Sequence, residues 1–408
     1  MKILIVTQYF WPESFRINDL ALGLRERGHE VSVLTGKPNY PGGKFFPGYG
    51  FFGRARDDYE GIPVVRVPLI ARGNGGGLRL ALNYLSFALF ASVLAPLRCG
   101  GRHDAILAYE PSPVTVALPA LLLKKLKRAP LHLWVQDLWP ESLSATGAVR
   151  TRWILRMVET MVRFIYRHCD RILVQSRAFN APILALGADP GRILYFPNSA
   201  EPFYRPLGPS PYTLDAAQLP QGFRVMFAGN IGAAQDFETI IAAATLLKDK
   251  ADIHWVVLGD GRMYDWVRNE VKVRGLQATF HLLGRHPVEA MPRFFALADA
   301  MLVTLKKEPI FALTIPAKVQ SYLACAKPII AALDGEGARV VVEAGGGVAV
   351  PAESPGALAS AVLEFYQMTQ EQRQAMGMRG RAYFERHFER EMLLTRLEGW
   401  MKELTRAA

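Results

Sequence analysis

The stretch KILIVTQYFWPESFRINDLALGLRERGHEVSVLT, residues 2–35, decides the fold. It contains two apolar runs, Lys2–Thr7 and Glu30–Thr35, which are typical of buried strands, and a segment between them that is long enough for a helix. Strand, helix and strand in this order predict a parallel sheet covered by helices. The first strand is followed by QYFWPE and not by a glycine-rich G-x-G-x-x-G turn, which argues against a nicotinamide or flavin enzyme.

The same alternation of strands and helical segments continues along the chain, stops once and then starts again. Strand-like runs before the break are Ala105–Tyr109, Leu131–Gln136 and Arg171–Gln175; those after it are Phe223–Ala228, Ile253–Leu258, Thr279–Leu283, Ala300–Thr304 and Pro328–Ala332. The break, Pro202–Gln221, contains five prolines and little periodicity, as an interdomain linker does. A chain of 408 residues is also too long for one ordinary core. We therefore predict an α/β protein with two doubly wound, Rossmann-like domains, residues 1–201 and 222–385, joined by a linker at 202–221.

Two further predictions concern the last helix and the ligand. Residues 386–408 end a strongly helical, charged segment that begins at Gln370, and we expect this last helix to pack back on the first domain. Open parallel sheets bind ligands at the carboxyl ends of their strands, so a central cleft between the two domains is the expected site.

Cysteine usage and the start of the chain both indicate the cytosol. The three cysteines, Cys99, Cys169 and Cys325, lie far apart and lack the spacing of a metal site. The chain begins directly with a strand-like run, without the charged and then apolar segments of a secretory signal. We therefore expect a cytoplasmic protein.

The net charge of +11 lies entirely in the first half of the chain. Residues 1–200 hold 25 Lys and Arg against 14 Asp and Glu, whereas residues 201–408 hold 23 of each. A basic half indicates an anionic partner such as lipid headgroups or a lipid diphosphate, or else a merely basic surface. The basic residues are scattered and follow no nucleic-acid-binding module, so nucleic acid is not an expected partner.

One segment of the first half suggests contact with a membrane. Residues Leu78–Leu97 form a largely apolar stretch whose length matches a membrane span. A span here would divide the predicted sheet across a bilayer, so we expect a buried or interfacial helix. The basic cluster within residues 124–128 is either a solvated helix end or a contact for anionic lipid. Together these features predict a peripheral protein on the inner face of the cytoplasmic membrane.

Four blocks of sequence carry a family resemblance: Gln8–Tyr49, Asp137–Ser142, Phe227–Gln235 and Ile315–Ala324. In this order, over essentially the whole chain, they resemble the family-4 glycosyltransferases, above all the O-antigen and capsule enzymes identified as L-fucosamine transferases. The resemblance implies a GT-B fold in which the first domain binds the acceptor and the second binds a nucleotide-diphosphate sugar, with UDP favoured by family habit. It also implies transfer with retention of configuration, without metal or cofactor, to a polyprenyl-diphosphate-linked or saccharide acceptor in surface polysaccharide synthesis. The donor sugar would be similar to N-acetyl-fucosamine.

The same resemblance implies donor-binding residues in the second domain. They are Gly229, Asn230, Gln235, Gly259, Asp260, Arg285, Ser321, Asp334, Gly335 and Glu336. The family usually has an Arg and a Lys where this chain has Asn230 and Gln235, and it has an E-x₇-E pair where this chain has Leu313 and Ser321. Both formal positive charges and both glutamates are therefore missing.

Among the catalytic candidates, Lys318 is the cation that best compensates for the missing positive charges. Lys318 opens a helix pattern after Pro316, and a helix start would add N–H donors and a partial positive charge for a leaving diphosphate. Lys306 and Lys307 are weaker candidates for the same contact. Glu110 and Asp137 are the carboxylates nearest to the family motifs, although such carboxylates can instead cap helices or bind backbone.

Acceptor-binding candidates lie in the first domain. They are Tyr9, Glu13, Arg16, Asn18 and Tyr109, the last at a position where some relatives have a histidine. No Asp-x-Asp pair or histidine cluster suits a metal–diphosphate site, so no metal is expected.

Two rival functions stay open. A nucleotide-sugar epimerase of the same architecture would need more acid–base residues in the cleft. A catalytically silent protein that only binds sugar nucleotides would suit the missing Arg, Lys and glutamates.

Overall fold

A computed structural model describes residues 1–74, 76–145, 151–208 and 219–407. The chain divides into two compact units: Met1–Pro197 together with Leu393–Ala408, and Asn198–Met392. The first boundary therefore falls a few residues before the predicted residue 201. Most of the predicted linker, residues 209–218, lies outside the described residues.

The first unit is built on an eight-stranded sheet with the order β3-β4-β2-β1-β5-β6-β7-β8. Its strands are β1 Lys2–Thr7, β2 Glu30–Gly36, β3 Arg56–Tyr59, β4 Ile62–Val67, β5 Ala105–Glu110, β6 Leu131–Val135, β7 Arg171–Val174 and β8 Ile193–Tyr195. Its helices are α1 Arg16–Glu26, α2 Gly77–Arg98, α3 Ala117–Lys127, α4 Glu141–Ala145, α5 Arg152–His168 and α6 Asn180–Ala185. All described strand pairs are parallel except β3 with β4. The central strands β1, β5 and β6 are almost wholly buried, because helices cover both faces of a parallel sheet.

The second unit is built on a six-stranded sheet with the order β11-β10-β9-β12-β13-β14, and its described pairs are all parallel. Its strands are β9 Phe223–Ala228, β10 Ile253–Leu258, β11 Phe280–Gly284, β12 Ala300–Thr304, β13 Ile329–Ala332 and β14 Gly347–Val350. Its helices are α7 Phe237–Leu246, α8 Tyr264–Val273, α9 Met291–Ala296, α10 Pro309–Ala312, α11 Ala317–Ala324, α12 Glu336–Glu343, α13 Pro355–Gln367 and α14 Gln370–His387. A core that includes Phe227, Ile240 and Trp255 fills one face of this sheet.

Most of the last helix, α15 Arg390–Ala407, belongs to the first unit, which takes in the chain from Leu393 onward. His29 Nε2 lies 3.0 Å from Oε1 of Glu398, Nη1 of Arg27 lies 3.4 Å from the same oxygen, and the hydroxyl of Thr405 donates to the carbonyl of Asp104. The last helix was predicted to start at residue 386, and the structure corrects this start. Helix α14 continues to His387 and ends at the fully buried Phe388, before α15 begins.

Helix α2 contains the apolar stretch Leu78–Leu97, and its two sides differ. Tyr84, Phe87 and Ala91 are buried on one side, whereas a row of large apolar side chains is exposed on the other. That row is Leu78, Leu82, Leu85, Leu89, Val93 and Leu97, at the helical spacing of three or four residues. The helix is long and apolar enough to cross a membrane, on criteria of length and composition that a core helix of a soluble protein also meets.

Candidate functional site

Glycine-rich loops form the carboxyl edge of the second sheet. A methyl group added at Gly259 would lie 1.9 Å from the carbonyl oxygen of Gly229, and one added at Gly261 would lie 2.3 Å from that of Ile231. The N–H of Gly229 donates to the carbonyl of Leu258, and that of Ile231 donates to the carbonyl of Asp260. The loops after β9 and β10 therefore pack backbone against backbone, which only glycine permits at these points.

Asn230 and Gln235, which replace the family's Arg and Lys, hold the first of these loops closed. Oε1 of Gln235 accepts hydrogen bonds from Nδ2 of Asn230 and from the N–H of Gly232, each at 3.2 Å. The hydroxyl of Thr304 donates to the backbone carbonyl of Gln235. The two amides thus shape the loop without supplying a charge.

Lys318 supplies a positive charge beside the same loop. It lies in the first turn of α11, is half-buried, and places Nζ 4.8 Å from the ring centroid of Phe227. A methyl group added at Gly229 would lie only 2.6 Å from this Nζ. Within the described part of the chain the ammonium has no hydrogen bond or ion pair, and burial lowers its pKa to about 8. Such a group is poised to bind an anion.

A cavity of about 380 Å³ lies at the carboxyl ends of β12 and β13. Lys306, Lys307 and Asp334 are among its lining residues. Nζ of Lys306 lies 3.5 Å from Oε2 of Glu238, so this lysine already has an acidic neighbour. The two lysines lie at the same edge of the sheet as the glycine loops, and their contact with a donor stays a prediction.

Three other donor-binding candidates are engaged in internal contacts. The Ser321 hydroxyl donates to the carbonyl one turn earlier in α11, at 3.1 Å. The Asp334 carboxylate accepts from the N–H of Ala352, and the buried Glu336 carboxylate accepts two hydrogen bonds from Arg339, each 2.8 Å. These side chains therefore have partners within the protein, and the role of Ser321 and of the loop at Asp334–Glu336 in donor binding stays a prediction.

The remaining donor candidates keep an accessible position. Asp260 and Arg285 are exposed in the loops after β10 and β11. Gly335 has a φ of +77°, and a methyl group there would lie 2.0 Å from the carbonyl oxygen of Ala312. Its contribution is a tight backbone turn that directly precedes α12.

In the first unit, Glu13 organises loops and does not face a ligand. Its buried carboxylate accepts from the N–H groups of Asn39 and Tyr40, each at 2.7 Å, and from that of Phe10 at 3.3 Å. Burial raises its pKa to about 7, although the three backbone hydrogen bonds oppose the rise. Asn18 in turn donates to the Glu13 carbonyl at 2.7 Å. Because Glu13 is buried, the structure does not support it as a direct acceptor ligand, whereas the half-buried Asn18 stays a candidate.

The two predicted tyrosines of this unit are also largely buried. Tyr9 is 2% exposed and stacks on Phe15, and Tyr109 is 3% exposed and packs on Trp134. Arg16 is half-buried and near enough to Tyr109 to lower its pKa, although burial dominates and raises it. Arg16 and Asn18 are therefore the half-buried members of the predicted acceptor set.

Glu110 and Asp137 lie at the carboxyl ends of β5 and β6. Glu110 is fully buried, and burial, followed by the nearby charge of Asp137, raises its pKa well above the usual value. Because Glu110 has no exposed surface, the structure does not support its assignment as a catalytic group that contacts a substrate. Asp137 is half-buried, accepts from the Ser142 hydroxyl, and has its pKa raised by burial. It stays a candidate.

Sequence reasoning missed a cluster around Arg72. Its guanidinium carbon lies 4.9 Å from the ring centroid of Tyr40, and Nη1 donates to the Tyr9 hydroxyl at 3.2 Å. The nearby Asn39 and Asn83 are fully buried and hydrogen-bonded to each other. The signal in the sequence was the density of aromatic and amide residues after β1 and β2. Nothing in the sequence indicated that the segment containing Arg72 would join them.

Comparisons with known proteins agree with this geometry. Residues 14–199 match the family described as glycosyl transferase 4-like domain, and residues 218–383 match glycosyl transferases group 1. Two Rossmann-like sheets with these matches define a GT-B glycosyltransferase. The chain is a glycosyltransferase with a glycosyl transferase 4-like first domain and a second domain of glycosyl transferases group 1.

Named relatives share this class. The chain is 31% identical over 58% of its length to WbjE of Pseudomonas aeruginosa, named as a glycosyltransferase, and the match spans only 60% of WbjE, less than two thirds. It is 26% identical over 79% of its length to WcaI of Escherichia coli K12, a glycosyl transferase named for colanic acid biosynthesis, and this match spans 81% of WcaI. The structure of Anabaena HepE in complex with UDP superposes with a TM-score of 0.70 at 15% identity, covering 99% of this chain and all of the other.

Proposed function

We propose that this chain transfers a sugar from a UDP-sugar to a lipid-linked acceptor in surface polysaccharide synthesis. The observation that carries the proposal is the unpaired ammonium of Lys318 beside the close-packed glycine loops of the second unit. HepE has been crystallised with UDP and with UDP-glucose, which supports a uridine nucleotide as the donor. The N-acetyl-fucosamine-like sugar stays the donor that we expect.

The donor site would work by neutralising the leaving diphosphate. When the glycosidic bond breaks, negative charge develops on the diphosphate and must be met by cations and oriented N–H donors. Lys318 offers the cation, and the start of α11 offers N–H groups that have no partner within the helix. Because this set needs no metal ion, we propose that transfer is metal-independent.

We also propose that transfer retains the anomeric configuration of the donor. Glu110 is buried and the family's glutamate pair is replaced by Leu313 and Ser321, so we assign no carboxylate nucleophile to the protein. We propose that the acceptor hydroxyl attacks from the face that the diphosphate leaves, and that the leaving phosphate takes its proton. Asp137 is the side chain that we expect to orient the acceptor.

A lipid-linked acceptor requires the protein to work at a membrane surface. Helices α2 and α3 pack together, and Nζ of Lys124 in α3 donates to the carbonyl of His168 at the end of α5. Large apolar side chains are exposed on all three helices: the row already described on α2, Leu126 on α3, and Trp153, Met157 and Phe164 on α5. Helices α2 and α3 contain no acidic residue. We propose that this face of the first unit docks peripherally on the anionic inner face of the cytoplasmic membrane.

Incubation with radiolabelled UDP-sugars and a membrane lipid extract separates the proposal from its rivals. We expect the label to move into a lipid fraction that needs both protein and extract. Conversion of the UDP-sugar into its epimer without extract would identify an epimerase. Tight binding of UDP-sugar without any turnover would identify a silent binding protein.

A further inference from the structure

A cation packed on aromatic rings lies in the first unit, in the segment between β4 and α2. The rings of Tyr9, Phe15 and Tyr40 contact one another with centroids 5.2 to 5.7 Å apart, and Arg72 lies against Tyr9 and Tyr40. Tyr40 is 37% exposed, so the outer part of the cluster faces solvent. An accessible aromatic ring beside a cation suits a sugar that carries a negative charge, because the ring stacks on the sugar and the cation binds the charge.

The charge of Arg72 is not neutralised inside the protein. No carboxylate lies within ion-pair distance of it among the described residues, and the hydroxyl of Tyr9 is the side-chain acceptor of its guanidinium. The buried Arg66 of the same unit differs, because its Nε binds Asp57 at 2.8 Å and its Nη atoms bind backbone carbonyls. A guanidinium has five N–H donors, so Arg72 keeps donors for an anion.

The cluster is held in place by a buried hydrogen-bond network. Oδ1 of Asn39 accepts from the N–H of Arg72 at 3.0 Å and from Nδ2 of Asn83 at 3.3 Å. Asn83 also donates to the carbonyl of Ile70 and accepts from Gln8. Because these contacts fix the backbone on which Arg72 and Tyr40 stand, a ligand would meet a preorganised site.

The position of this cluster suits a lipid headgroup. Arg72 precedes by a few residues Leu78, the first member of the exposed apolar row of α2. We propose that Arg72 and Tyr40 bind an anionic group of the acceptor, either the diphosphate that links it to its lipid or a carboxylate on its sugar. This assignment rests on the proposed function, in which the first unit binds the acceptor.

Binding of short prenyl ligands tests the assignment without requiring turnover. The full chain, saturated with UDP to occupy the donor site, is titrated calorimetrically with farnesyl diphosphate, with farnesol, and with an octyl glucuronide and its neutral octyl glucoside. We expect Arg72→Gln to weaken binding of one charged ligand by about 10- to 100-fold, because a hydrogen bond to a charged group contributes about 1.5–3 kcal/mol, and to leave its neutral counterpart unchanged. The affected ligand identifies the anion as diphosphate or carboxylate.

Matched variants separate ligand binding from packing. Arg177 also lies over a tyrosine ring, with its guanidinium carbon 5.1 Å from the Tyr195 centroid, so Arg177→Gln should leave both charged ligands unaffected. Arg72→Lys should keep part of the affinity, since the charge remains. Equal weakening of charged and neutral ligands in a stable Arg72→Gln protein, or no weakening at all, would overturn the proposal. If the charged ligand is bound through Arg72 but no sugar is transferred, the proposed function fails while the site stands.

Discussion

At the scale of single residues, the proposed donor site combines a neutral loop with a charge from a neighbouring helix. Family-4 enzymes usually place an Arg and a Lys where this chain has Asn230 and Gln235, and the structure uses both amides to close the glycine loop. Lys318 brings a charge to the same loop from the neighbouring helix. If the diphosphate is bound here, its catalysis should depend unusually strongly on this lysine.

We expect Lys318→Ala to lower kcat by about 10²- to 10³-fold with a smaller effect on KM, because the lysine is worth most as charge develops on the diphosphate. The exposed Lys250→Ala is the matched control and should be neutral. Steady-state kinetics with a melting temperature for each variant measure the effect. Near-normal kinetics in a stable Lys318→Ala protein would place the diphosphate elsewhere, with Lys306 and Lys307 next to be tested.

The pH dependence of the same lysine gives a second readout. Burial lowers the pKa of Lys318 to about 8, so the free protein loses this charge as the pH rises above 8. We therefore expect kcat/KM to fall along a limb near pH 8, and we expect Lys318→Arg to shift that limb to higher pH because arginine keeps its proton. A limb that does not move in the arginine variant would have to be assigned to another group.

Glu13 should influence stability and not chemistry. Its folded pKa of about 7 exceeds its ordinary value of 4.5, so between these values the folded protein holds a proton that the unfolded chain has lost, and stability falls as the pH rises through this window. Glu13→Gln should remove this part of the fall in stability. The variant should therefore become more stable relative to wild type as the pH rises from 5 to 8. Denaturant unfolding at several pH values measures it, with the exposed Glu30→Gln as control. Parallel curves for Glu13→Gln and wild type would refute the buried titration.

At the scale of elements, the sequence predicted the central strands well and the edges poorly. The run Lys2–Thr7 coincides with β1 because an uninterrupted apolar stretch is what a strand covered on both faces requires. The edge strand β3 and its neighbour β4 were missed, because RDDY and IPVVRV mix charged, proline and apolar residues. The contacts of Glu13 and Glu336 could not be predicted, because a carboxylate in a motif looks the same whether it binds a ligand, a backbone N–H or an arginine of the same chain.

Helix α2 is the element for which we predict membrane contact. We expect the double substitution Leu82→Asp and Leu89→Asp to abolish co-sedimentation with vesicles that contain phosphatidylglycerol, because both side chains lie on the exposed row. Leu246→Asp, at a leucine of similar exposure in the second unit, is the control. Binding of wild type should weaken as salt rises, since screening shortens the reach of surface charge. Equal binding to neutral and anionic vesicles would count against the charge argument.

The last helix gives a prediction about stability. Burial would raise the pKa of Glu398, but the hydrogen bond from His29 and the charges of Arg27 and His29 hold it below its usual value. Glu398→Gln should therefore cost about 1 kcal/mol at pH 7, and the difference from wild type should disappear as the pH falls through the lowered pKa and the wild-type carboxylate is protonated. The more exposed Glu403→Gln is the control. A constant difference down to pH 3 would contradict the ion pair.

At the scale of the whole molecule, the two Rossmann-like domains could be predicted from the repeated strand rhythm and the proline-rich break. The return of α15 to the first unit could be proposed but not located, because the helical pattern runs on through Phe388 and only the fold shows where it divides. The family follows from matches over both domains, while the sugar and the acceptor depend on side chains that no periodicity reveals.

The most direct test of the central claim is to follow transfer from a UDP-sugar by NMR, in the presence of EDTA, with a prenyl-diphosphate-linked sugar as acceptor. We predict that transfer proceeds without metal and that the first product detected has the same anomeric configuration as the donor. Transfer that stops in EDTA and returns with Mg²⁺ or Mn²⁺, or a product of inverted configuration, would contradict the account.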